Sequence, residues 1–200
     1  MTQNTKYASA LIIAICASGM AQAHTTEGVA GGLESGILHP IMGLDHLVAM
    51  VAVGLWGAQL GRPLIYALPV AFPLMMVVGG LLGVADLGVP AAEVGIAASA
   101  VVLGLLITLA LRLRTALAVA IVAAFAIFHG YAHGQELPEA ASPISYGIGF
   151  VISTGLLHAA GIVIGLLNDW KPIGPWLVRS CGGIVALVGF YYLAGALGFA

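Results

Sequence analysis

The sequence predicts an all-α, polytopic transmembrane helix bundle with six spans after a cleaved signal peptide and both mature termini outside. Three observations carry this. The 200 residues are 61% hydrophobic and 7% charged, against roughly 25% charged in soluble domains. Mean hydropathy is +1.10. The apolar residues are gathered into runs near the ~20 residues that a helix needs to cross hydrocarbon.

The first run is of a different kind. MTQNTK is a polar start with one Lys, YASALIIAICA is a short apolar core, and Ala21-Gln22-Ala23 puts small residues where a signal peptidase needs them. Residues 1–23 are therefore assigned to a signal peptide, and 24–200 to one six-helix transmembrane domain. Cys16 leaves with the signal and Cys181 remains alone, so no internal disulfide is available.

The six spans are expected at about 38–60, 63–85, 92–112, 115–133, 144–168 and 175–198. Glycines at 79, 80 and 83, and at 147 and 149, suit close helix approach in lipid. Charge sets the orientation. With residue 24 outside, the inner loops hold Arg62, Arg112, Arg114 and Lys171, with Arg179 just beyond, while the outer segments hold Glu27, Glu34, Asp86, Glu93, Glu136 and Glu139. Every basic residue after the signal falls inside, as the positive-inside rule requires. A near-zero net charge and the lack of a basic patch exclude a nucleic-acid partner.

Ionisable groups within such helices are functional candidates by default. The stretch HPIMGLDH begins the first span. Read as one helix, it aligns His39, Met42, His46 and Met50 on a stripe with Asp45 at its edge. Imidazole and thioether donors suit Ni²⁺, Co²⁺, Cu or Zn²⁺ better than Mg²⁺ or Ca²⁺, and Asp45 either ligates or holds a histidine tautomer. In FHGYAHGQE, His129, His133 and Glu136 share a face at i, i+4 and i+7. This is not the His-Glu-x-x-His of zinc hydrolases, whose general base is missing. His158 stands alone in mid-span, and as a lone residue it reads equally well as a hydrogen-bonded structural histidine. After cleavage, the free amine and imidazole of His24 read either as a further chelating pair at the mouth or as an unstructured start before a short linker.

The His39-Pro40, Gly43 and Asp45-His46 elements, the F-H-G-Y-A-H-G-x-E run at 128–136 and the signal ending before a His resemble the HupE/UreJ family, along essentially the whole chain. They are also similar to the His…Asp-His signature of wider nickel/cobalt transporters, with five residues rather than four between His39 and Asp45. The resemblance implies a secondary permease, not an enzyme, that takes up Ni²⁺ as substrate, with Co²⁺ as the second candidate. It implies the inner membrane as location, a hydrogenase or urease maturation system as downstream partner, and no bound cofactor. It implies metal roles for His39, Asp45, His46, His129, His133 and Glu136, and more weakly for His158; His24 and Met42 stay secondary candidates from the residues alone. A homo-oligomer is compatible with this reading. No nucleotide-binding motif is present, so the chain itself supplies no ATP hydrolysis. Two other classes remain open: an intramembrane zinc hydrolase with a His/Asp site, and a haem carrier with histidines on facing helices.

Overall fold

Residues 29–137 and 142–199 are described by a computed structural model. The signal segment 1–23, His24, Glu27 and Glu139 lie outside them. The described residues are helical, without a strand. In chain order they form α1 (Val29–Met42), α2 (Leu44–Leu60), α3 (Leu64–Val84), α4 (Ala92–Thr108), α5 (Thr115–Gln135), α6 (Pro143–Leu166), a 3-10 turn (Leu167–Asp169) and α7 (Gly174–Ala196). Helices satisfy their own backbone polar groups, which is the requirement hydrocarbon imposes.

Four helices, α3, α5, α6 and α7, are long and apolar enough to cross a membrane, and α1 with α2 makes a fifth, broken candidate. Their outward sides carry exposed Leu74, Leu81, Leu156, Val163, Ile184 and Leu187. An apolar exterior on this scale is what lipid selects and water does not. The chain is thus a multi-pass membrane protein.

The structure corrects the expected first span. Residues 38–60 do not form one helix: α1 begins at Val29, and α1 and α2 meet at Gly43 with a bend of 82°. Pro40 has no N–H for the α1 ladder and weakens its last turn. Gly43 then takes an extended conformation, φ −87° and ψ 109°. A Cβ on Gly43 would come within 3.2 Å of both Asp45 Oδ1 and His46 Nδ1. The missing side chain therefore makes room for the Asp45–His46 pair. α4 also stops earlier than expected, at Thr108 rather than 112, where Ala110 turns into the left-handed region at φ 51°.

The helices pack mainly as α3 on α5, α4 on α7, and α6 on both α1 and α2. Glycines at the crossings let backbones touch. Gly79 and Gly83 of α3 rest on the carbonyls of Ile127 and Tyr131, and Gly130 and Gly134 of α5 return the contact onto Met76 and Gly80. Gly54 sits under the His158 carbonyl, and Gly149 on that of Leu33. Gly147, by contrast, faces open space.

Trp56, Phe72, Met50, Leu55, Leu68, Leu103 and Ile107 fill the interior. Arg179 Nε donates to the Thr108 carbonyl at 2.7 Å, tying α7 to the end of α4. Its guanidinium lies over Trp176, and Arg62 lies over Tyr66. Aromatic rings beside basic groups are typical of a membrane–water boundary.

Candidate metal centre

The break at Gly43 positions the site. His39 lies in the last turn of α1 and His46 in the first turn of α2. Both rings meet His133, at centroid distances of 4.7 Å and 4.6 Å. α5 stays helical to Gln135, so His129 and His133 share a face, as their spacing predicts. His46 lies 5.0 Å from His129.

The carboxylates hold imidazoles. Asp45 Oδ1 accepts from the His46 backbone N–H and pairs with His46 Nδ1, both at 2.9 Å. Glu136, just past α5, places Oε2 3.0 Å from His39 Nε2 and 3.9 Å from His133 Nδ1. The hydrogen bond from His39 holds the Glu136 carboxyl below the usual range.

These groups form two donor sets. The candidate ligand atoms of His46, His129 and His133 lie within 4.8 Å of one another, as do those of His39, His133 and Glu136. His133 belongs to both. Donors bound to one ion through ~2.1 Å bonds would stand ~3.4 Å apart, so each set has to contract around its ion. Side-chain exposure falls through the series: Glu136 55%, His39 34%, His46 13%, His133 5%. His129 is fully buried. The donors therefore run from solvent into the protein.

Two methionines of the expected stripe part company. Met42 is exposed at the end of α1, and Met50 is buried in the core, where the Thr154 hydroxyl points at its sulfur, 3.5 Å away. His158 belongs to neither donor set. It is buried in α6 with its ring perpendicular to that of Phe72, centroids 5.3 Å apart, and the Phe72 ring also lies 5.4 Å from that of His129.

Sequence reading did not find Ser99, whose Oγ lies 3.0 Å from His129 Nε2. Nor did it connect Glu93, Tyr191 and Tyr192 with the site. These three line an open cavity of ≈ 440 Å³ together with Asp45, His46 and Glu136. The cavity has three carboxylates and neither Lys nor Arg among the described residues of its wall. Glu93 was visible only as an outer acid; its partners come from helices far away in sequence.

Helices of this length and greasiness, joined by a convergent imidazole–carboxylate set, define a multi-pass membrane protein with donors suited to a divalent transition metal. The chain belongs to the HupE/UreJ family: the family described as HupE / UreJ protein matches residues 12–192. It is 40% identical over 174 residues to Protein HupE of Rhizobium leguminosarum bv. viciae, a match covering 86% of this chain and 91% of that protein. No solved structure matches it.

Proposed function

We propose that this chain is a secondary permease that carries Ni²⁺, with Co²⁺ as the second candidate, across the bacterial inner membrane toward the maturation of nickel enzymes. The observation that supports it best is the ordering of donors, from half-exposed Glu136 and His39 to buried His129, at one end of an apolar bundle. A hydrated cation gathers at the acidic cavity. It first exchanges water for His39, His133 and Glu136, then moves by way of shared His133 to His46 and His129. Sharing one ligand between two loose sets favours release, which conduction requires.

In this reading α2 to α7 each cross the bilayer. At 17 residues, α4 spans about 25 Å, the short end of the workable range. The alternating directions put Asp45, Glu93 and Glu136 on the outer face and the basic loops inside. Removal of residues 1–23 leaves the mature amino terminus outside. The hydrolase reading is weaker, because Asp45 and Glu136, the carboxylates within the donor cluster that could serve as its general base, are both engaged with histidines.

The direct test is accumulation of radioactive nickel in cells expressing wild type or His46→Ala at equal membrane levels. Uptake should rise with wild-type expression and vanish in the variant. Uptake equal to that of empty cells in both would refute the nickel reading.

Two further results are expected. Initial uptake should fall as external pH drops from 7.5 to 5, because protons compete with metal for imidazole nitrogens. Glu136 does not set this window: its pKa is depressed, so its charge is lost only below the normal carboxylate range. A flat profile would count against histidine ligation. Glu93→Gln should slow uptake at least about threefold at low salt and less at high salt, because it weakens attraction into the cavity without touching a ligand. Salt-independent rates in both proteins would exclude that role.

A further inference from the structure

His129 is the deepest donor, and which of its two nitrogens meets the ion is not free. Ser99, on α4, is fully buried and faces it. A serine hydroxyl has one proton to give and lone pairs to accept with. Ser99 Oγ lies 2.6 Å from the Ile96 carbonyl, one turn back in its own helix, a short bond in which only the hydroxyl can be the donor. The lone pairs then remain for His129 Nε2, 3.0 Å away, and they accept from Nε2–H.

The other ring nitrogen gives an independent argument. Nδ1 of His129 is buried without a protein partner. A proton there would leave a buried N–H donor orphaned, which folded proteins avoid more strictly than an unused acceptor. A bare lone pair on Nδ1 is what a metal ligand must offer. His46 is arranged in the opposite sense. Asp45 accepts from its Nδ1, and Nε2 is the buried atom without a protein partner.

We propose that Ser99 is a positioning residue that holds His129 as its Nε2–H tautomer and so presents Nδ1 to the ion, opposite Nε2 of His46. The proposal rests on the permease reading for the identity of the ion, but not for the tautomer. It also sets ring direction. His129 can reach the ion only with the imidazole backed against α4, so a shift of α4 would carry the ligand with it.

The test uses purified full-length protein in detergent with ¹⁵N-labelled histidine. His129 is assigned by the signal lost in His129→Gln. In wild type the metal-free His129 should show a protonated Nε2 and a bare Nδ1. Ser99→Ala, which removes only the hydroxyl, should give a mixture of tautomers. It should also weaken Co²⁺ binding, followed by visible absorption, by about 10- to 100-fold, the usual effect of removing a group that orients a ligand. Ser99→Thr, which keeps the hydroxyl, should restore the wild-type tautomer, a signature that altered packing alone would not produce. A proton on Nδ1 in wild type, or an unchanged tautomer in Ser99→Ala, would overturn the proposal while leaving the permease reading intact. Failure of the wild-type protein to bind either Co²⁺ or Ni²⁺ would overturn the permease reading and the presentation of Nδ1 to an ion together.

Discussion

A His133→Ala variant is expected to accumulate nickel no faster than cells without the protein, a larger loss than His39→Ala or Glu136→Gln will show. The reason is its place in both donor sets. Without it, His46 and His129 remain as one pair and His39 and Glu136 as another. A two-donor pair leaves most of the coordination sphere to water, so neither station competes well with bulk hydration. Even groups that only orient a ligand contribute about 10- to 100-fold to affinity, so loss of a direct ligand should reach or exceed about 100-fold. His39→Ala removes one of the outer set's two imidazoles and leaves His46, His129 and His133 intact.

Packing complicates the comparison, because the His133 ring lies 4.2 Å from that of Phe150 and is almost fully buried. Truncation leaves a void as well as a missing ligand. His133→Gln keeps much of the volume and no imidazole. It should therefore match His133→Ala in transport while keeping normal membrane levels. The measurement is initial radioactive nickel uptake, normalised to protein in the membrane. Retention of half the wild-type rate in both variants would show that the two donor sets are not coupled through His133.

Much of the fold was written in local composition, and the part that was not explains itself physically. The helices of residues 63–85, 115–133, 144–168 and 175–198 were legible because hydrocarbon thickness and helical rise fix their length. Their observed bounds differ from those expected by a few residues. The break at Gly43 was invisible for the same reason. Hydropathy averages across it, and Pro and Gly are tolerated inside membrane helices often enough that neither demands a bend. Yet that bend places His39 and His46 on separate helices that both meet His133. The spacing of His129 and His133 carried real information, since α5 persists through both. Cross-helix partners did not. Ser99 is 30 residues from His129, and nothing in its own neighbourhood marks it. Glycine spacing behaved similarly: it shows where a close approach is permitted, and only the fold decides that Gly79 uses it and Gly147 does not.

That distinction yields the second large effect. Gly130→Ala is expected to lower the thermal midpoint of the purified protein by several degrees and to remove most nickel uptake, although it adds a single methyl group. Gly130 lies between His129 and His133, where α5 meets α3. A Cβ there would run into the Met76 carbonyl and come 2.9 Å from the Gly80 backbone nitrogen. Neither neighbour is a side chain that can rotate away, so α3 itself must move. Overpacking of this kind typically costs about 1 to 3 kcal/mol. Against it stands the gain from replacing glycine in a helix, roughly 1 kcal/mol in water. The collision should win, because Gly134 makes the same approach to the Gly80 carbonyl one turn later and fixes the two helices together. The displacement also falls between the two ligands of α5, so transport suffers beyond what stability alone predicts. Gly147→Ala is the matched control: its Cβ meets nothing within 4 Å, and only the helix-propensity gain applies. It should be neutral or slightly stabilising with wild-type uptake. Indistinguishable melting and transport in the two alanine variants would mean that the α3–α5 contact does not hold the donors in place.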